Sequence, residues 1–214
     1  MKKAILSVII SCVGMLAFAQ SDKYVPAMKK NIHMLDSVFQ NGNAKDLANN
    51  FERIADAEKT QWLPYYYAAY CQVLITYTEK DKSKVDAIAD KAEELITKAE
   101  TIAGKENSEI DVIKSMISSA HMMVDMQSRY MKYGPGYTAN IEKAKALDPA
   151  NPRPVYLEAQ AKLYTPEAFG GGKAVAKPLF EKAIAMFDTF KPESELHPSW
   201  GKASAQYFLS QINQ

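Results

Sequence analysis

A pattern of helix ends and helix starts recurs along the chain at intervals of about 45 residues. Four segments resemble the end of an amphipathic helix: FERI, ITKA, IEKA and FEKA begin at residues 51, 96, 141 and 180, so they are separated by 45, 45 and 39 residues. Helix starts recur as well, because Pro64, Pro154 and Pro198 are each followed two residues later by an aromatic residue. Self-similarity at such a period is typical of solenoids, in which each unit buries its apolar face only against its neighbours.

Between these positions the apolar residues follow the helical period, and no stretch alternates as a strand does. A first helix is predicted from Val25 to Gln40. A long helix is predicted from Ser108 to Met131, and Gly134–Gly136, with Pro135 between the glycines, is expected to stop it. Pro178 is expected in or near the first turn of a helix that spans 174–190, or else to kink it. The sequence therefore predicts an all-helical protein of about eight helices arranged as antiparallel pairs.

The N-terminal residues have the composition of a secretory signal peptide. Lys2 and Lys3 precede an apolar run that ends at Leu16, and Ala17-Phe18-Ala19 has the small residues of a cleavage site. We expect residues 1–19 to be removed and residues 20–214 to form a single helical-repeat domain in the periplasm or outside the cell. Two alternatives are a retained N-terminal anchor and a lipid anchor on Cys12.

Charge and cysteine content exclude several classes of function. Two of the 26 basic residues lie in the predicted signal peptide, which leaves 24 against 25 acidic residues. This balance gives no electrostatic basis for binding nucleic acid or an anionic membrane. Cys71 is the one cysteine that follows the predicted cleavage site, so no intrachain disulfide is expected, and its apolar neighbours predict a buried side chain.

No motif for catalysis, for a cofactor or for a metal is evident. The glycine run Gly170–Gly172 resembles a phosphate-binding loop, but Glu167 occupies the place of its first glycine and Ala174 that of its Ser or Thr. We interpret this run as a flexible bend between two helices. The three histidines, at positions 33, 121 and 197, lie far apart and lack zinc-ligand spacing. The sequence thus predicts a protein that is not an enzyme.

Two sets of side chains are candidates for an interaction surface. The segment 116–131 carries five methionines and His121, soft ligands that could suit copper but that equally fill irregular cores. Tyrosine combines apolar area with a polar tip and is common at interfaces. The candidate interaction residues are Tyr65, Tyr70, Tyr77, Met122, Met126, Tyr130 and Tyr133. Met122, Met126 and Tyr130 are four residues apart and could form one partly exposed strip on a continuous helix.

The chain resembles the tetratricopeptide repeat family, whose units are antiparallel helix pairs with small residues where the helices touch. The small, bulky, small pattern of the family's second helix occurs as Ala92, Ile96 and Ala99, and again as Ala176, Phe180 and Ala183. The period near 45 departs from the family's 34 residues. The resemblance implies a divergent solenoid that binds a protein or peptide in a concave groove, without catalytic residues.

Two hypotheses about function follow from these patterns. The first is an exported, non-enzymatic scaffold that binds a protein or peptide partner in the cell envelope. The alternative is a periplasmic protein that binds a small ligand or a metal through the methionine-rich helix. Neither requires a cofactor, and neither involves nucleic acid or a transmembrane segment after signal cleavage.

Overall fold

The computed structural model describes residues 21–213, and within them it contains ten α-helices and no strand. The predicted signal peptide and Cys12 lie outside the described residues. The all-helical prediction is confirmed. The helices are α1 (Tyr24–Leu35), α2 (Val38–Asn41), α3 (Ala44–Ala57), α4 (Trp62–Thr78), α5 (Lys82–Ala103), α6 (Ser108–Val124), α7 (Met126–Leu147), α8 (Pro152–Tyr164), α9 (Lys173–Thr189) and α10 (Lys202–Ile212), with a 3-10 turn at Glu167–Phe169 between α8 and α9.

Local signals in the sequence set most of the helix ends. The side chains of Asp81, Asn107, Asp125 and Asn151 each accept a hydrogen bond from a backbone N–H in the first turn of the helix that follows. Such caps satisfy donors that have no partner inside the helix. At the other end, α5 terminates at Gly104, whose φ of 64° is a left-handed conformation that glycine adopts without steric strain.

Two predicted helices are each divided in the structure. The segment predicted as one helix from Val25 to Gln40 breaks between Leu35 and Val38, which separates α1 from the single turn α2. The helix predicted from Ser108 to Met131 ends at Val124, because Asp125 adopts an extended conformation (φ −154°, ψ 93°) and caps α7 through the backbone N–H of Ser128. The first break adds the short helix α2, whereas the second moves a boundary, because the residues after Asp125 belong to α7.

The prediction that Gly134–Gly136 stops a helix is wrong, because α7 runs through all three residues. Proline costs a helix one backbone hydrogen bond, but close packing of α7 against α6 can outweigh that cost. A Cβ at Gly134 would lie 3.1 Å from the ring of Tyr130, and one at Gly136 would lie 3.5 Å from Ser118 Oγ on α6. Gly134 therefore leaves room for the ring of Tyr130 on the same helix, and Gly136 lies at ordinary contact distance from α6. Pro178 likewise lies inside a helix, one turn beyond the start of α9.

One hydrophobic core extends along the described chain from Tyr24 to Ala205. Successive helices pack on each other from α3 to α10, and α4 also packs on α6. Alanines without exposed surface lie at the helix contacts, as the repeat pattern predicts: Ala92, Ala99, Ala159, Ala176 and Ala183. Side chains of this size let the helix backbones approach closely.

The segment between α9 and α10, residues 190–201, crosses back over the start of α4, and we call it the C-terminal strap. Tyr67 donates its hydroxyl hydrogen to the carbonyl oxygen of Leu196 at 2.9 Å. Trp200 donates its indole N–H to the hydroxyl of Tyr66 at 2.9 Å, and its ring stacks on Tyr70 with centroids 4.4 Å apart. The strap thus joins the C-terminal part of the described chain to α4. Between residues 21 and 213, no helix combines the length and apolarity needed to cross a membrane.

Candidate functional site

An open groove of about 720 Å³ lies between the C-terminal ends of α7 and α9, over α8. Its walls come from the last turn of α7, the α7–α8 turn, one face of α8, the last turns of α9 and the first residues of the C-terminal strap. We call it the α8–α9 groove. Its volume falls in the range of about 300–1,000 Å³ that is usual for small-molecule sites.

Apolar side chains form part of the surface inside the groove. Val155 of α8 is buried at its base, and Pro149 and Ala150 form the wall at the α7–α8 turn. On the opposite side, Met186 and Phe190 are both half-buried and four residues apart, so their side chains lie on one face of α9. A flat apolar ligand would therefore contact aliphatic, thioether and aromatic groups together.

Three lysines and two carboxylates surround these apolar surfaces. Lys145 Nζ lies 2.7 Å from Glu158 and 2.9 Å from Glu142. Partial burial lowers the pKa of Lys145, but its hydrogen bonds to these glutamates outweigh burial, so the net shift of the pKa is upward. Lys182 and Lys191, by contrast, form no ion pair with any other residue between 21 and 213. The groove therefore offers two uncommitted cations.

A second hollow lies on the surface of α3 and has a different character. Its lining is entirely polar and comprises Asp46, Asn49, Asn50, Glu52, Arg53 and Asp56. Among the described residues no cluster of three or more His, Cys, Asp or Glu side chains is arranged to hold a metal ion.

None of the candidate interaction tyrosines on α4 lies in the α8–α9 groove. Tyr65 is half-buried and packs against the core. Tyr70 is buried under Trp200. Tyr77 retains 38% of its surface at the end of α4. Burial raises the pKa of Tyr70, so its side chain remains a protonated hydroxyl.

The candidates on the methionine-rich segment fall on two helices, which corrects the prediction of one strip on one helix. Met122 lies on α6 and is only 6% exposed, whereas Met126 and Tyr130 lie beyond the break at Asp125, on α7, and are more than half exposed. The ring of Tyr133 stacks on that of His121 with centroids 4.7 Å apart. The exposed members, with Met131, form an apolar surface at the start of α7.

His121 is held in a polar cluster rather than presented to a ligand. Its Nδ1 lies 2.8 Å from Asp86 Oδ1, and its Nε2 lies 3.6 Å from Asp90. Arg129 donates two hydrogen bonds to the carboxylate of Asp86, at 2.6 and 2.9 Å. These contacts join α5, α6 and α7, so the cluster fastens the start of α7 to the two preceding helices.

The sequence analysis missed the residues that form the groove. Lys182, Met186 and Phe190 recur every four residues along α9, a spacing that marks one helix face. The same spacing occurs on every amphipathic helix. It could not indicate a groove without knowledge of which helices pack nearby.

Comparisons with known proteins give one informative similarity. No protein-family model matches the sequence, and no match was found among the curated proteins. A solved structure, that of the HusA haemophore from Porphyromonas gingivalis, is similar to this chain with a TM-score of 0.79 and 34% sequence identity. The similarity covers 91% of this chain and 94% of that one. It therefore extends over nearly the whole of both proteins.

Proposed function

This chain belongs to the family of the HusA haemophore, and from that premise we propose that it is an exported, non-enzymatic protein that binds haem in the α8–α9 groove. The proposal takes up the small-ligand hypothesis but moves the site away from the methionine-rich segment. The observation that carries it is the groove itself, a cleft of about 720 Å³ that combines apolar side chains with two lysines free of ion pairs to the described residues.

A protein binds haem through apolar surface for its ring and cations for its two propionates, and the iron can also accept a donor atom. The groove supplies each of these from its own side chains. Val155 and Phe190 offer apolar surface, Lys182 and Lys191 offer two ammonium groups, and Met186 offers a thioether. Methionine is one of the residues that hold haem iron in proteins. The chemistry of the lining residues therefore fits haem.

The proposal is tested by titrating the chain from residue 20 onward with haem and recording its Soret absorbance. We expect saturation at a defined stoichiometry. The variant Ala150→Trp places a large ring into the groove from an exposed position in the α7–α8 turn, where it leaves the core intact. We expect this variant to bind haem at least about tenfold more weakly, since the apolar surface for the ring is then occupied.

Ala139→Trp is the matched control, because Ala139 is exposed on α7 and does not line the groove. It should bind haem like the unchanged protein. Equal binding by both tryptophan variants would move the site elsewhere on the molecule. A chain that shows no saturable change in Soret absorbance would contradict haem binding altogether.

Binding of a protein or peptide partner is the second candidate function. The exposed apolar surface formed by Met126, Tyr130 and Met131 favours it, since contiguous patches of this kind are frequent at interaction sites. We propose further that the helix pairs stack as a tetratricopeptide-like array within one domain, which the successive packing from α3 to α10 supports. Cross-linking in the native envelope, compared between the unchanged protein and Tyr130→Ser, would test the partner.

A further inference from the structure

Three aromatic side chains are exposed where α8 ends, where α9 begins and on the adjoining face of α10. Tyr164 is 71% exposed and Phe169 is 79% exposed, and Tyr207 retains more than half of its surface. The half-buried ring of Phe208 lies between the two tyrosines, with its centroid 6.4 Å from that of Tyr164 and 5.6 Å from that of Tyr207. We call Tyr164, Phe169 and Tyr207 the aromatic end. None of them lines the α8–α9 groove or the hollow on α3.

The turn that carries Phe169 has a hydrogen-bonded backbone. The N–H of Phe169 donates to the carbonyl oxygen of Pro166 at 2.9 Å, and the N–H of Gly172 donates to that of Lys162 at 2.8 Å. A Cβ at Gly170 would meet no atom within 4 Å, so the turn extends into open space. Phe169 therefore adds little apolar burial to the core. A partner that covers it would gain apolar burial without having to order a loose segment.

Lysines outnumber carboxylates around the aromatic end. Residues 160–179 contain Lys162, Lys173 and Lys177 but a single acidic residue, Glu167. Lys173 and Lys177 are exposed, and none of the three lysines forms an ion pair with another described residue. The helix α10 adds no acidic residue. This local excess of positive charge is not visible in the near-neutral balance of the whole chain.

Exposed aromatic rings beside unpaired lysines match the chemistry of an anionic lipid surface. Aromatic side chains favour the boundary between lipid headgroups and acyl chains, where the ring is in an apolar environment and the tyrosine hydroxyl stays in contact with water. Lysines beside them attract the headgroup phosphates, and each contributes about 1 kcal/mol near an anionic surface. Interfaces between proteins, by contrast, are depleted in lysine. The composition of this surface therefore favours a lipid over a folded protein.

We propose that the aromatic end docks the protein on an anionic lipid surface, with its three rings at the acyl boundary and Lys173 and Lys177 against the headgroup phosphates. The proposal goes beyond haem binding and does not depend on it, because none of these residues lines the α8–α9 groove. Docking should be reversible, since a few inserted side chains give far less membrane affinity than a spanning helix.

Co-sedimentation of the chain from residue 20 onward with vesicles tests the proposal. One set of vesicles is phosphatidylcholine alone, and the other is an equal mixture of phosphatidylcholine and phosphatidylglycerol. We expect binding to the mixed vesicles and at least about tenfold weaker binding to the neutral ones. Phe169→Ser should weaken binding to the mixed vesicles about tenfold, since it removes the most exposed ring. Phe39→Ser, at a phenylalanine that is more than half exposed on α2, is the matched control and should bind like the unchanged protein.

A pair of double variants tests the lysines. Lys173→Gln/Lys177→Gln removes two charges beside the aromatic end, and Lys30→Gln/Lys45→Gln removes the same net charge at exposed positions of α1 and α3. We expect the first double variant to bind the mixed vesicles about tenfold more weakly and with a smaller dependence on salt. The second should stay within about twofold of the unchanged protein, because its lysines lie away from the lipid.

Fluorescence locates the contact directly. The emission of Phe169→Trp should shift to shorter wavelength when mixed vesicles are added, because the introduced indole leaves water for the acyl boundary. Tyr130→Trp, at an exposed position of the apolar surface on α7, should show no such shift.

The proposal is overturned if the unchanged protein binds neither kind of vesicle or binds both equally. Equal losses in Phe169→Ser and Phe39→Ser would also overturn it, as would a shift in Tyr130→Trp without one in Phe169→Trp. If Phe169→Ser instead changed the oligomeric state, the aromatic end would be an interface between copies of the chain. Haem titration of the two serine variants should match the unchanged protein; weaker haem binding by Phe169→Ser alone would assign the aromatic end to haem and not to lipid.

Discussion

Arg153 and Glu109 form an ion pair inside the protein, with Arg153 Nη1 2.9 Å from Glu109 Oε1. The two residues are 44 positions apart and begin α8 and α6. Arg153 has no exposed surface, and its second amino group donates to the carbonyl oxygen of Pro198 in the C-terminal strap. Its guanidinium lies 5.2 Å from the rings of both Phe190 and Trp200. The pair therefore connects two helix starts with the strap.

An ion pair and hydrogen bonds partly offset the free-energy cost of burying the carboxylate of Glu109. Burial raises the pKa of its carboxyl, and the charge of Arg153 opposes that rise. Tyr66 donates a hydrogen bond to Glu109 at 3.2 Å, and Asn151 donates another at 2.8 Å. Buried charges are tolerated in proteins when they are paired and hydrogen-bonded in this way.

Removing Arg153 alone should destabilise the protein strongly. We expect Arg153→Met to lower the free energy of unfolding by about 3–5 kcal/mol, since it leaves the Glu109 carboxylate buried without its counter-ion. Urea denaturation followed by circular dichroism measures this change. The double variant Arg153→Met/Glu109→Gln should recover part of the loss, because no isolated charge is left. A double variant that is as unstable as the sum of the two single variants would contradict this account.

Asp86 should make stability depend on pH in the acid range. Hydrogen bonds from Arg129 lower the pKa of Asp86 from 3.8 to about 2. Because the pKa is lower in the folded state, the contribution is present above pH 4 and is lost as the pH falls towards 2. The carboxylate is 40% exposed, so screening by solvent limits the contribution to about 1 kcal/mol.

The variant Asp86→Asn tests this dependence. It should be less stable than the unchanged protein at pH 6, and the two should converge near pH 2, as measured by urea denaturation across that range. A stability difference that stays constant from pH 6 to pH 2 would count against the lowered pKa.

Substitution of Gly171 should destabilise the protein more than substitution of its neighbour Gly170. A Cβ at Gly171 would overlap the carbonyl oxygen of Thr165 and would lie 2.7 Å from that of Lys162. We expect Gly171→Ala to cost about 1–3 kcal/mol, as overpacking usually does. Gly170 has a φ of 77° but open space around it, so Gly170→Ala should cost only about 1 kcal/mol of backbone strain. Thermal unfolding of both variants distinguishes the two sites, and equal losses would refute the steric argument.

Lys182 and Lys191 should make haem binding depend on salt. The double variant Lys182→Ala/Lys191→Ala should bind haem about tenfold more weakly at low ionic strength, since two partly exposed ion pairs contribute about 0.2–1 kcal/mol each. Its affinity should also fall less with added salt. Lys173→Ala/Lys177→Ala is the matched control, because both lysines are exposed on α9 outside the groove. If both double variants lost haem affinity to a similar extent, the loss would come from the overall charge of the protein and not from the two lysines in the groove.

Helix ends were predictable from the sequence where the residues that set them lie within one turn of the chain. The caps at Asp81, Asn107 and Asn151 and the glycine stop at Gly104 act within one turn of the chain, so the sequence indicates them directly. The break at Asp125 was missed because the apolar pattern continues across it. The passage of α7 through Pro135 was missed because it depends on packing against α6, and such long-range contacts can outweigh helix propensity.

The sequence contains a weak indication of the buried ion pair between Arg153 and Glu109. Asn107 and Asn151 each cap a helix two residues before a charged side chain, Glu109 in one case and Arg153 in the other. The starts of two helices thus carry opposite charges 44 residues apart. A charged residue near a helix start is usually solvated. Only the contact between α6 and α8 shows that these two face each other.

The amino-acid order by itself determined the helical character of this protein and the alanines at its helix contacts, because each depends on residues within a few turns of one another. Tertiary structure decided where a ligand could bind. The α8–α9 groove is formed by the ends of α7 and α9, which lie about 40 residues apart in the chain and meet over α8. No local sequence pattern predicts that these two helix ends lie side by side. Their positions depend on the packing of all the helices between and around them.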